Sequence, residues 1–116
     1  MSFYSQVQIT AEPEAFAMFK DVLEKHNLIH EVRRGKGRKA PYVINIEWVK
    51  WYPEFDVVNA VDDVSHKLND IDEEGYGYKM IVLNEDNTSE TYCNNQGDSH
   101  FCDVDVQCYI DNPYNV

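Results

Sequence analysis

The second half of this chain has almost no positive charge. Residues 51–116 carry two Lys/Arg against fifteen Asp/Glu, a net of −13, whereas residues 1–50 carry eight against six, a net of +2. A surface so acidic repels nucleic acid and attracts basic partners, which makes direct nucleic-acid binding by that half the weaker expectation. Cysteine is scarce and odd in number: Cys93, Cys102 and Cys108. Disulfide-braced secreted scaffolds more often carry an even set, so all three are read as thiols in a reducing cytoplasm. No stretch approaches the roughly 18 apolar residues of a membrane span. The opening SFYSQVQITAE has neither the basic start nor the apolar run of a secretory signal. A membrane partner is not expected. Repeats and long linkers are also lacking, so residues 1–116 read as a single domain.

Complete catalytic and metal motifs are missing as well. Cys93, His100, Cys102 and Cys108 are spaced C-x6-H-x-C-x5-C, without the close ligand pairs of a zinc site. Cys102 and Cys108 placed on one strand would lie roughly 20 Å apart, and the expectation is core thiols. Asp70, Asp72, Glu74 and Gly75 match the first, third, fifth and sixth positions of an EF-hand loop. The twelfth, which should be a bidentate Glu, is Ile81. RRGKGRK matches neither phosphate-loop pattern, and no Ser occupies a nucleophile elbow. His26, His30, His66 and His100 show no spacing that selects a general base. Metal, cofactor and catalytic residues are accordingly expected to be none.

What is present is a well-patterned globular sequence. Eight Tyr, five Phe and two Trp argue against disorder. FYSQVQIT alternates as a half-buried strand, with Phe3, Ser5, Val7 and Ile9 on one face and Tyr4, Gln6, Gln8 and Thr10 on the other. Spacing then becomes helical: Pro13 opens the helix, and Ala15, Phe16, Phe19, Val22 and Leu23 form its buried stripe. Residues 28–34 read as a strand, GKGRKAP as a turn, and YVINIEWVKWY as the clearest strand, with Ile44, Ile46 and Trp48 on one face. After Pro53, Val57, Val61, Val64, Leu68 and Ile71 recur at four-three-four-three spacing on a second helix. YGYKMIVLN is a strand, SETYCNN a further one, and FCDVDVQCYID alternates with Cys102, Val104, Val106, Cys108 and Ile110 on one face. The expected fold is α+β. It has a ferredoxin-like β-α-β-β-α-β core, two helices on one sheet face and one or two added C-terminal antiparallel strands.

Two charged surfaces follow. Arg33, Arg34, Lys36, Arg38 and Lys39 form a basic hairpin tip, with Tyr42 nearby to stack on a base. The tip reads equally as a solvated turn, or as a contact for an acidic protein patch, including the acidic half of a second copy. Asp62, Asp63, Asp70, Asp72, Glu73 and Glu74 lie on or after the second helix, Glu85 and Asp86 in a turn, and Asp103 and Asp105 on the last strand. A charge run is usually a solvated face, but this excess exceeds what solubility requires, and Tyr76, Tyr78, Tyr92, Tyr109 and Tyr114 are interleaved with it. Tyr is favoured at interfaces.

In size, acidity, cysteine usage and the IVLNEDNTSE strand–turn segment, the chain resembles the small accessory proteins of bacteriophages. Some of these inhibit host defence nucleases, anti-CRISPR proteins and other DNA mimics among them. The resemblance covers the whole chain in general character and transfers no residue roles. It implies a non-enzymatic inhibitor, acting in the host cytoplasm, whose acidic surface blocks a nucleic-acid-binding or host-defence protein. The competing expectation is a small nucleic-acid or nucleotide binder that uses the basic tip.

Overall fold

The computed structural model of the chain describes residues 4–28, 30–35, 41–106 and 110–114. Strand β1 (Ser5–Ala11) leads through helix α1 (Pro13–Lys25) to the hairpin of β2 (Glu31–Arg34) and β3 (Tyr42–Val49). Helix α2 (Asp56–Asn69) then leads to β4 (Tyr78–Asn84), β5 (Ser89–Cys93) and a short helix α3 (Asn95–His100). The chain ends in two two-residue strands, β6 (Asp105–Val106) and β7 (Ile110–Asp111), which pair with each other. The class is α+β: among the described residues, a five-stranded antiparallel sheet in the order β2-β3-β1-β4-β5, with three helices. No helix among the described residues is long and apolar enough to cross a membrane.

The helix-bearing face follows from the sequence periodicities. Val7, Ile9 and Ala11 of β1, Ile44 and Ile46 of β3, and Tyr78, Met80 and Val82 of β4 meet Ala15, Phe19 and Leu23 of α1 and Val61, Val64 and Leu68 of α2. Residues two apart on a strand meet residues three and four apart on a helix, which is how each buries one continuous stripe. Pro13 starts α1, where its missing N–H costs nothing. Asn27 ends it in the left-handed region at φ 55°, letting the Leu28 N–H bond the Leu23 carbonyl at 3.0 Å.

The opposite face departs from expectation. Gln8 and Thr10 are buried rather than half-exposed, because the C-terminal segment lies over them. The Asn112 amide donates to Gln8 Oε1 at 2.6 Å and Thr10 Oγ1 at 2.8 Å, while Gln8 donates to Asn45 Oδ1 at 2.8 Å. Beside this polar row, Ile81 packs with Phe101 and Val104, and Ile110 and Tyr114 close over them.

The alternation in FCDVDVQCYID therefore does not describe one strand. A turn follows α3, leaving Cys102 exposed, and β6 and β7 pair as separate short strands. Cys93 is half-buried, so neither described cysteine is a core thiol, and Cys108 lies outside the described residues.

Helix α3, which the sequence pattern does not anticipate, is held by Asn94. Its Oδ1 accepts from Gly97 N–H at 2.8 Å and Tyr78 N–H at 3.2 Å, and its Nδ2 donates to the Tyr76 carbonyl at 2.7 Å. Gly97 permits this docking, since a Cβ there would stand 1.7 Å from the Tyr78 carbonyl oxygen.

Truncating Asn112 to Ala leaves the Gln8 and Thr10 acceptors buried without that donor. The expected cost is about 1–3 kcal/mol, read by urea denaturation. A change within about 0.5 kcal/mol, the range of an inert surface substitution, would contradict this account of the second face.

Candidate functional site

The end of the sheet where β1 begins and β3 and β4 finish gathers exposed aromatic rings beside carboxylates. Ser5 pairs there with Val49 on one side and Asn84 on the other. The ladder continues one residue further: Glu85 N–H donates to the Tyr4 carbonyl at 3.1 Å, and Tyr4 N–H donates to Glu85 Oε1 at 2.6 Å. The β4–β5 turn that carries Glu85 is braced from within. Asp86 accepts from Thr88 Oγ1 at 2.6 Å and Thr88 N–H at 3.1 Å, and Asn87 takes the left-handed conformation at φ 68°. A left-handed residue after a tight turn suits Asn, and it sets the register of the hairpin. The Thr88 hydroxyl, followed by the Thr88 amide, holds the Asp86 carboxyl below the usual aspartate range.

A bulge in β3 builds the aromatic part. Val7 pairs with Ile46 but Ser5 with Val49, so β3 contains one residue more than β1 opposite it. Trp48 absorbs the difference at φ 42°. Its ring is consequently turned out, 50 % exposed, while Val49 packs on the core. The expectation that Trp48 shares a face with Ile44 and Ile46 is thus corrected, because the extra residue breaks the alternation. A bulky residue in the left-handed region costs about 1–2 kcal/mol.

Tyr4, at 45 % exposure, stands beside Trp48, and together with Glu85 they line a cleft of about 400 Å³. A larger groove of about 560 Å³ adjoins it, also lined by Tyr4 and Trp48, with His30, Glu31, Glu47 and Lys50. Lys50 Nζ lies 5.8 Å from the Tyr4 ring centroid.

The acidic part continues along the α2–β5 edge. Asp62, Glu90 and Tyr92, the last 41 % exposed, line a cleft of about 290 Å³ with Trp51 and Tyr52. Burial pushes the Asp62 carboxyl above the ordinary aspartate value of 3.8; His66 opposes this, and Asp63 and Glu90 add to it. Asp63 and Glu90 thus lie within electrostatic reach of Asp62. A neighbouring cleft brings His66 and Cys93 to Asp62 and Tyr92. Burial raises the Cys93 thiol, followed by the nearby Asp98, which disfavours the nucleophilic thiolate.

The other anticipated residues are placed elsewhere. Asp70 caps the end of α2, and Asp72, Glu73 and Glu74 follow it, all exposed, at the end of the sheet opposite Glu85 and Asp86. Asp63 is exposed on α2 and Asp103 is exposed after α3. The side chain of Asp105 lies outside the described residues. The ten carboxylates thus do not form one surface: Asp62 lies with Glu90 on the α2–β5 edge, Glu85 and Asp86 lie in the β4–β5 turn, and four others lie at the far end.

Arg33 and Arg34 are on β2, whereas Lys36, Arg38 and Lys39 lie outside the described residues. Tyr42 is already engaged, stacked on Phe16 at 4.1 Å with the Arg34 guanidinium 4.5 Å from its centroid. A base would have to displace one of them. His100 Nδ1 approaches Glu12 Oε1 at 3.3 Å, and the same oxygen accepts Gly77 N–H at 2.9 Å, so the contact ties α3 to the starts of α1 and β4. Among the described residues, no three His, Cys, Asp or Glu side chains converge to hold a metal ion.

Sequence reasoning missed Tyr4, Trp48, Trp51 and Tyr52 as site residues, while Glu90 was anticipated with Glu85 and Asp86 around the turn. For Trp48, Trp51 and Tyr52 the signal was aromatic residues close to Glu47 and Glu54, but periodicity placed Trp48 on the face of Ile44 and Ile46. Comparison with protein-family models, curated proteins and solved structures finds no match to this chain.

Two outcomes test this geometry. Glycine is ordinarily about 0.5–1 kcal/mol worse than alanine inside a strand. At a left-handed position the order reverses, so Trp48→Gly should be more stable than Trp48→Ala by about 1 kcal/mol in thermal unfolding. The usual order would remove the bulge from the account.

The second outcome concerns Asp62. A carboxyl with a raised folded pKa contributes favourably below its unfolded value, and that contribution is lost as pH rises through the folded one. Asp62→Asn should therefore stabilise the protein at neutral pH. The gain is on the order of 0.3 kcal/mol, because solvent still screens this half-buried group, and it should vanish below pH 3.8. Urea denaturation at both pH values checks the sign.

Proposed function

We propose that this protein is a non-enzymatic inhibitor that uses the acidic, aromatic α2–β5 edge to occupy a basic surface on a protein partner. The partner class that fits best is a nucleic-acid-binding or host-defence protein, as in the phage inhibitors the chain resembles. The observation that carries the reading is the grouping of Asp62 with Asp63 and Glu90 beside exposed Tyr92. Isolated solvated acids repel one another apart, whereas carboxylates held together by a fold present a concentrated negative potential. A groove that normally grips phosphates would be drawn to such a surface. Tyr92 and Tyr52 add apolar area with polar tips, the composition favoured at interface centres. The raised Cys93 thiol supports binding over thiol catalysis.

The experiment is affinity capture from host lysate, followed by titration of the captured protein against the wild-type chain and an Asp62→Lys/Glu90→Lys variant. Raising salt from about 0.01 M to about 1 M shortens the screening length from about 30 Å to about 3 Å, so affinity should fall steeply. The double reversal should abolish binding while circular dichroism shows the fold intact. A complex indifferent both to salt and to the reversal would falsify the proposal.

A further inference from the structure

We propose that Tyr4, Trp48 and Glu85 form a receptor for one arginine side chain presented by a protein partner. The cleft they line has two aromatic surfaces and a carboxylate, the combination that selects an organic cation. The ring faces attract positive charge through their quadrupoles, and the carboxylate completes the pairing. Each group is set before a ligand arrives. Glu85 is fixed by Tyr4 N–H at 2.6 Å and stands on a turn braced by Asp86 and Thr88. Trp48 is turned out by a bulge that holds it at φ 42°. Preorganised groups lose little freedom on binding. Backbone strain at an exposed indole is the kind of feature that persists where function requires it.

Charge supplies the sign of the occupant. The adjoining groove is lined by Glu47 and by Glu31, the latter 3.6 Å from Arg33, together with His30 and Lys50, so Glu85 and Glu47 are the carboxylates left to meet an entering cation. The chain already places one cation at this aromatic surface, Lys50 Nζ at 5.8 Å from the Tyr4 centroid. That is the outer limit of a useful cation–π distance, about 6 Å, and leaves a closer position for a ligand. Arginine fits better than lysine because its planar guanidinium stacks on a ring while its N–H fork addresses a carboxylate, and it is less strongly hydrated than an ammonium.

This inference rests on the reading of the protein as a binder of basic partners, but its test is separate. The full wild-type chain is titrated with acetyl-Gly-Arg-Gly-amide while the indole N–H resonances are followed by NMR, with Trp48 assigned through Trp51→Phe. Citrulline in place of arginine keeps the shape and removes the charge. The expected result is a saturable shift of the Trp48 indole in the millimolar range. Binding should be about tenfold weaker for the citrulline peptide and about tenfold weaker in Glu85→Gln. That variant keeps an acceptor for Tyr4 N–H, and the unchanged spectrum of its core amides reports the fold. No saturable shift, equal binding of citrulline, or indifference to Glu85→Gln overturns the receptor. Asp62→Lys/Glu90→Lys should leave the peptide titration unchanged. Loss of peptide binding with the salt-sensitive complex intact sinks the receptor alone, and the reverse sinks the inhibitor reading alone.

Discussion

The amide row in which Asn112 joins Gln8 and Thr10, and Gln8 joins Asn45, is the contact on which the rest of the arrangement depends. It buries the second face of β1, whose first face already lies under α1 and α2. A central strand covered on both sides usually carries apolar residues throughout. Here one face is polar, and burying it is tolerable because each of these side chains finds a hydrogen-bond partner. With the C-terminal segment over one face and the helices over the other, the strand ends are where aromatic and acidic groups remain exposed.

Geometry at the end near Tyr4 follows from that burial. Because β1 is held between β3 and β4, the extra residue in β3 cannot be absorbed by sliding the strand, since a one-residue slip would exchange its buried and exposed faces. The mismatch is instead localised at Trp48, which takes a left-handed conformation and points outward. The same ladder fixes Tyr4 against Glu85. A packing constraint in the middle of the sheet thereby produces a preset aromatic and carboxylate cluster at its edge.

Much of this was legible in the sequence, for identifiable reasons. The α1 and α2 stripes and the alternation of Val7 and Ile9 gave the α+β class, because each apolar residue repeats at the period of its element. Residues whose neighbours are distant in sequence were not legible. Gln8 and Thr10 read as exposed because their partner is Asn112, more than a hundred positions away. Helix α3 was not anticipated, because only the close approach of Gly97 to Tyr78 explains it. Trp48 read as sharing the face of Ile44 and Ile46 because a bulge leaves no trace in the alternation before it. Of the anticipated carboxylates, the fold puts Asp62 beside Glu90 on the α2–β5 edge, Glu85 and Asp86 in the β4–β5 turn, and Asp70, Asp72, Glu73 and Glu74 at the opposite end of the sheet. Linear charge density carries no information about that division.

The functional account therefore narrows from an acidic half-chain to one end of the sheet, where charge and aromatic area coincide. Hydrogen exchange of the chain bound to its captured partner tests that most directly. The account predicts slowed exchange at residues 47–52 and 84–92, with residues 31–35 and 70–74 unchanged. Slowing confined to residues 31–35 and 70–74 would contradict it.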